Sequence, residues 1–152
     1  MAGQQLLDRK SETRIAGPDT VGAGPVCTVA ETTSGDTVRA RLREARLISR
    51  NTYTECVRML LRSEVAAVTT DDAILLGYAA QQPDKLKVVG EPFTEEKYGI
   101  GYRLHDRAFC QFLTDAITAA QRDGSWGAAF DRTLGRAGVP RPPVPPPDTC
   151  PA

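Results

Sequence analysis

Two short polar stretches hold the side chains with which this chain could do chemistry. Thr32, Thr33 and Ser34 follow one apolar run, and Asp71 follows another. A helix beginning after residues 32–34 would present unpaired N–H groups and the positive end of its dipole, which hold a carboxylate without a basic side chain. Asp71 would supply a negative charge nearby. A carboxylate site beside an acidic side chain suits an α-amino acid, which carries both charges.

The same residues have an ordinary structural explanation. Thr or Ser before a helix is usually a cap, and Asp after a strand usually caps the next helix. Judged on residue types alone, caps are the more common outcome. The binding hypothesis therefore depends on whether the two stretches come together in space.

Alternating apolar patterns predict the elements that would bring them together. Short apolar runs predict strands at residues 26–30, 46–49 and 65–70. Each is followed by a helical pattern: residues 35–44, a helix starting at Tyr53, and one starting near Asp72. Thr52 and Glu55 form a capping box before the second helix. This alternation predicts an α/β fold with a mainly parallel sheet flanked by helices. Ligands bind such sheets beyond the carboxyl ends of the strands, where both polar stretches would lie.

Further elements are predicted on either side of this unit. Strands are expected at residues 5–10, 85–89 and 97–103. Ile74, Leu75, Tyr78 and Ala79 would form the inner face of the third helix. An amphipathic helix is indicated by the spacing of Phe109, Phe112, Leu113, Ala116, Ile117 and Ala120. Gly124 would end it, and Ser125 would cap a last helix that points Trp126, Phe130 and Leu134 inward.

Composition sets the domain limits and excludes several classes of protein. Seven of the eleven prolines follow residue 139, so we expect a domain at residues 1–138 and a Pro-rich disordered tail at residues 139–152. Nineteen basic residues balance nineteen acidic ones, which indicates no nucleic-acid partner. The cysteines and the single histidine, His105, are not spaced as metal ligands, and no cofactor or metal is expected. The first ten residues do not form a signal peptide, so the chain as written would stay in the cytoplasm.

Several long stretches resemble the glutamate- and glutamine-binding proteins of bacterial ABC importers, in solute-binding protein family 3. They are VCTVAETTS (26–34), NTYTECV (51–57), VTTDDAILLGYAAQQPDKLKVVGEPF (68–93), YGIGY (98–102) and DGSWGAAFDRTLG (123–135). The likeness runs from about residue 2 to residue 138. It is nearest to the glutamate-type lipoproteins of actinobacteria.

The resemblance implies a type II periplasmic-binding-protein fold, in which two α/β lobes close on an amino acid, and this chain corresponds to the second lobe. Thr32, Thr33 and Ser34 would hold the α-carboxylate of glutamate or glutamine. Asp71 would pair with the α-ammonium, and Thr70 would line the cleft. A disulfide would join Cys27 to Cys56. The family works outside the cytoplasm with ABC permease subunits and catalyses no reaction.

Departures from the family keep other interpretations open. The first lobe, with the arginine that clamps the carboxylate, is missing, so a separate first lobe is one expected partner and Met1 need not be the true start. Glu31 stands where glycine is common, and Ala66 replaces an aspartate. A ligand-free interaction or regulatory module is therefore the alternative function. Dehydratases share this fold, but no nucleophile–base pair is present. Cys110 and Cys150 could pair, remain free or bond between chains; we expect one of the last two.

Overall fold

The computed structural model describes residues 2–144 and 146–150. The chain divides into two compact units, the first ending at Lys97 and the second beginning at Tyr98. The described residues after residue 138 form no helix or strand. The boundary expected at residue 138 between a domain and a disordered tail stays a prediction.

The first unit contains a five-stranded sheet with the strand order β3-β2-β4-β1-β5. Its strands are β1 (Gln4–Arg9), β2 (Pro25–Val29), β3 (Arg46–Arg50), β4 (Ala67–Asp71) and β5 (Leu86–Val89). The β2 strand pairs in parallel with β3 and β4, whereas β1 runs antiparallel to both β4 and β5. Four strands therefore point the same way, and the predicted α/β class with a mainly parallel sheet is confirmed.

Helices α1 (Thr33–Arg41), α2 (Tyr53–Leu61) and α3 (Asp72–Gln81) connect the strands. Neighbouring residues on each central strand enter different cores: Leu6 packs in one and Leu7 in the other. One core combines the sheet with α2 and α3, and the other combines it with Val38 of α1 and the loop through Ile15 and Val21. Burial on both faces explains why the strands read as continuous apolar runs.

Most predicted elements are present, with three corrections. The capping box is confirmed, since the Thr52 hydroxyl accepts from Glu55 N and the Glu55 carboxylate accepts from Thr52 N. Residues 97–103 form no strand, which is consistent with the weakening effect of Gly99 and Gly101. Ile74 does not belong to the inner face of α3, since it is 36% exposed. The first helix ends at Arg41, earlier than expected.

The second unit consists of α4 (Arg107–Arg122), α5 (Ser125–Arg132) and a 3-10 turn at Leu134–Ala137. Gly124, at φ 79°, separates the two helices and occupies the N-cap position that was predicted for Ser125. Phe109 and Phe112 stack with ring centroids 5.9 Å apart but remain exposed, contrary to their predicted place on an inner face. Leu134 is exposed as well. No helix in the described residues has the length and apolarity to span a bilayer.

All four cysteines form disulfides. Cys27 of β2 is bonded to Cys56 of α2, with 5.5 Å between the Cα atoms, as the family resemblance implied. Cys110 of α4 is bonded to Cys150, with 5.9 Å between the Cα atoms. The expectation that these two would stay free or pair between chains is therefore wrong. The polypeptide after α5 therefore returns to α4, which was one of the outcomes left open by the sequence but not the one expected.

Candidate functional site

The two polar stretches meet at the carboxyl edge of the parallel strands. Gln4 of β1 lies opposite Asp71 at the end of β4, and its side chain donates to Ser34 O in the first turn of α1. The turn from Ala30 into α1 is therefore beside the end of β4. This is the edge at which α/β sheets bind ligands.

Three hydroxyl residues lie at the start of α1, and the hydroxyl of one of them is used in hydrogen bonds within the fold. Thr32 is the N-cap: its hydroxyl donates to Val29 O at 2.8 Å and accepts from Gly35 N at 3.4 Å. Thr33 is exposed and Ser34 is buried. The amides of Gly35 and Asp36 are bonded to Thr32 O, so the leading N–H groups of Thr33 and Ser34 are the ones best placed to meet an anion.

The two candidates at the end of β4 differ in environment. Thr70 is buried, and its hydroxyl donates to the phenol oxygen of Tyr53 at 2.7 Å. The Thr70 hydroxyl is therefore engaged by the Tyr53 hydroxyl. Asp71 is half-buried at the N-cap position of α3, but its side chain makes no capping hydrogen bond. Asp71 thus holds the N-cap position of α3 without a side-chain capping hydrogen bond.

Glu31 lies between β2 and the cap of α1. It is exposed and has a φ of 57°, in the left-handed region that glycine adopts without steric cost. This conformation gives the physical reason why glycine is favoured at such a position. It also places an acidic residue next to the N-cap of α1, where a negative charge is favoured by the helix dipole.

Two residues at this edge were not predicted as part of the site. Gln4 opens β1, is fully buried, and lies opposite Asp71. Tyr53 was assigned to the inner face of α2; its ring packs against the core, and its hydroxyl extends to Thr70. The capping box before Tyr53 was the available signal, because it placed that ring in the first turn of a helix starting at the same edge.

Ionisable groups with shifted pKa values lie at the other end of the sheet. Burial raises the pKa of Asp8, whose Oδ2 atom has no partner among the described residues. Hydrogen bonds from Arg14 lower the pKa of Glu12 to about 2. A cavity of about 310 Å³ lies at this end. It is lined by Arg9, Glu12, Arg14, Ile15, Thr20, Val21, Gly24 and Ala66. It is remote from the candidate site, since it involves the amino ends of β2 and β4.

No group of three or more His, Cys, Asp or Glu side chains in the part of the chain that the structure describes could hold a metal ion. His105, exposed with a φ of 63°, precedes α4 and does not belong to the candidate site.

Known proteins with similar sequence bind amino acids. The chain is 35% identical over 138 residues to the glutamate-binding protein GluB of Corynebacterium efficiens, covering 87% of this chain and 47% of that protein. It is 30% identical over 134 residues to the ABC transporter glutamine-binding protein GlnH of Bacillus subtilis, covering 88% and 48%. No protein-family model matches the chain.

A solved structure with a similar fold belongs to the same class. An ancestral arginine-binding protein bound to glutamine superposes with a TM-score of 0.79 at 25% identity, covering 88% of this chain and 60% of that one. Fold and sequence together group this chain with amino-acid-binding proteins. The chain belongs to the glutamate- and glutamine-type solute-binding proteins of bacterial ABC importers. It spans about half the length of the curated relatives it matches.

Proposed function

We propose that this chain is the second lobe of a substrate-binding component of an ABC amino-acid importer and contacts glutamate or glutamine through its carboxyl edge. The observation that carries the proposal is that the α1 N-terminus and Asp71 lie at the same edge of the sheet, within a fold whose relatives bind amino acids. The ligand α-carboxylate would lie against the N–H groups of Thr33 and Ser34. Asp71 would accept from the α-ammonium.

The hydroxyl candidates have unequal parts in this proposal. Thr33 is exposed and can add a hydroxyl to the carboxylate contact. Thr32 acts by holding the first turn of α1 in place. Thr70 acts through the Tyr53 hydroxyl, which accepts a hydrogen bond from Thr70 and can donate one to a ligand. The site would bind without a cofactor and would perform no reaction.

We also propose a partner lobe, because a single lobe forms only one wall of a ligand-binding cleft. Relatives of twice this length supply the basis for expecting that wall, either on a separate chain or in sequence beyond this one. Closure over the ligand supplies much of the affinity of a two-walled site. We therefore expect weak binding by this chain alone, together with permease partners and an extracytoplasmic place of action for the assembled protein.

Calorimetric titration with glutamate, glutamine and aspartate tests the proposal. Asp71→Asn should weaken the affinity at least about tenfold, because it removes the charge that pairs with the ammonium group. Asp84→Asn, the same change at an exposed turn between α3 and β5, should leave the affinity unaltered. Equal affinities for the Asp71 variant and the wild type would contradict the proposed site.

A second function is favoured by Glu31. Its carboxylate beside the α1 N-terminus can occupy the position of the ligand anion, and the chain would then be an interaction or regulatory module that no longer binds amino acids. Absence of heat up to millimolar ligand in the wild type, together with heat in Glu31→Gly, would support this alternative over amino-acid binding by the wild-type chain.

A further inference from the structure

The Gln4 side chain connects the two halves of the proposed site. It is fully buried at the start of β1, opposite Asp71 in the sheet register. Its Nε2 atom donates to Ser34 O in the first turn of α1 at 3.2 Å, and to Thr69 Oγ1 near the end of β4 at 2.9 Å. One carboxamide thus joins the strand and the helix whose ends form the site.

The orientation of this carboxamide follows from its partners. Ser34 O is a carbonyl oxygen and can only accept, so the atom facing it must be the amide nitrogen. Thr69 Oγ1 in turn donates to Gln5 O at 2.7 Å, which leaves it as an acceptor towards Gln4. Both N–H groups of the amide therefore have defined acceptors.

Both backbone polar groups of Gln4 are also hydrogen-bonded. Its N–H donates to Thr94 Oγ1 at 2.8 Å, and its carbonyl accepts from Phe93 N at 2.9 Å. The side chain therefore projects from an anchored strand residue. A displacement of α1 along the sheet would have to break the bond to Ser34.

Both hydrogen bonds donated by this carboxamide cross from β1 to another element. They are buried, where hydrogen bonds are electrostatically stronger than in water. Buried hydrogen bonds between elements favour one arrangement of those elements. The arrangement defined here is the position of α1 against β4.

We infer that Gln4 is a positioning residue, whose carboxamide sets the α1 N-terminus at the distance from β4 that an amino-acid ligand requires. The inference rests on the proposed function. Gln4 acts through Ser34 and Thr69, and contact with the ligand is left to the α1 amides and Asp71. Thr32 fixes the same turn to β2, so Gln4 supplies the connection to β4 that the cap lacks.

Amide hydrogen exchange of the free protein, followed by NMR, tests the positioning independently of binding. Gln4→Leu removes both donors at similar volume and should accelerate exchange at Gly35, Asp36 and Val38 about tenfold or more relative to Val68 in the sheet. Gln5→Leu is the matched control. It makes the same change one residue along β1, where the amide bonds to Gly90 O, and should leave those rates unchanged.

Thr69→Val is a second variant that keeps the strand-forming shape. It removes the acceptor for Gln4 on β4 and the bond that Thr69 donates to Gln5 O, but it leaves the bond from Gln4 to Ser34 O in place. It should therefore produce a smaller acceleration at the same α1 amides. Acceleration by one factor throughout the first unit in both variants would show that Gln4 contributes stability alone, and would overturn the inference. So would unchanged rates in α1.

Calorimetric titration with glutamine separates this inference from the function on which it rests. If the wild type binds, Gln4→Leu should weaken the affinity about tenfold while Gln5→Leu leaves it unaltered; equal affinities would overturn the inference. If the wild type gives no heat at millimolar glutamine, the proposed function fails, and with it the ligand-directed role of Gln4. Selective acceleration in α1 would then show a structural connection only.

Discussion

The two units of this chain differ in the interactions that stabilise each of them internally. The first has two buried cores, one on each face of its sheet, with residues such as Leu6 and Leu7 fully buried. In the described part of the second, only Cys110 and Gly127 are buried, and Phe109 and Phe112 stack in the open. The first unit thus has the buried interior of an ordinary domain, whereas the second unit has few buried residues.

The helices of the second unit are instead cross-linked to the proline-rich segment that follows them. The Cys110–Cys150 disulfide closes a segment of 40 residues, and Arg141 forms an ion pair with Asp131 of α5. Arg141 also lies over Gly127, where its guanidinium occupies the space that a Cβ atom would fill. Burial therefore stabilises the first unit together with its Cys27–Cys56 disulfide, whereas the second unit, which has little burial, depends on cross-links to the proline-rich segment.

The largest expected effect comes from removing the tail disulfide. For a separation of 40 residues the loop-closure estimate gives about 4 kcal/mol, a large share of the stability of a small helical unit. We expect the double variant Cys110→Ser, Cys150→Ser to become sensitive to trypsin at α4 and α5 while the first unit stays resistant. Time-resolved proteolysis with mass spectrometry measures this. Equal resistance of both units would remove the contrast between them.

Truncation of apolar side chains should destabilise the first unit more than the second. Leu60→Ala, in the core beneath α2, should lower the free energy of unfolding of the first unit by about 3 kcal/mol, through lost burial and the cavity left behind. Phe112→Ala, at a side chain that is 63% exposed, should cost no more than about 0.5 kcal/mol. Denaturant unfolding monitored separately for each unit checks the pair. A larger loss from Phe112→Ala would reveal an interior in the second unit.

The smallest effect sharpens the distinction between fold and site within the first unit. Glu31→Gly should stabilise it by about 1 kcal/mol, because glycine adopts the left-handed conformation without strain, and should strengthen binding of an anionic carboxylate. Ser63→Gly is the control, at φ 62° after α2; it should give similar stability with no change in affinity. Thermal melts and titration of both variants separate the two effects. Tighter binding by both variants would point to stability rather than charge.

Local patterns account for the elements that form the candidate site. The capping box at Thr52 placed α2 correctly, and the apolar runs placed β2 and β4, so the meeting of the two polar stretches at one edge followed from topology. The prediction of a strand failed where the local sequence pattern was suitable but no neighbouring strand was available to pair with it. Residues 97–103 alternate as a strand does, but they pair with no other strand.

The tertiary structure alone decided how the polar side chains are used. Whether the Thr70 hydroxyl faces a ligand or Tyr53, and whether Asp71 caps a helix, depends on neighbours far away in sequence. The role of Gln4 is invisible in the sequence, because a strand residue gives no sign that its amide will reach Ser34, thirty positions along the chain.

Sequence by itself determined the strand–helix alternation, the edge at which a site could form and the family to which the chain belongs, since each depends on short-range periodicity or on aligned motifs. The second disulfide, the exposure of the α4 aromatics and the hydrogen bonds that join α1 to β4 depend on long-range packing. A local pattern records which residues are apolar or polar, but only the folded chain determines which of them meet.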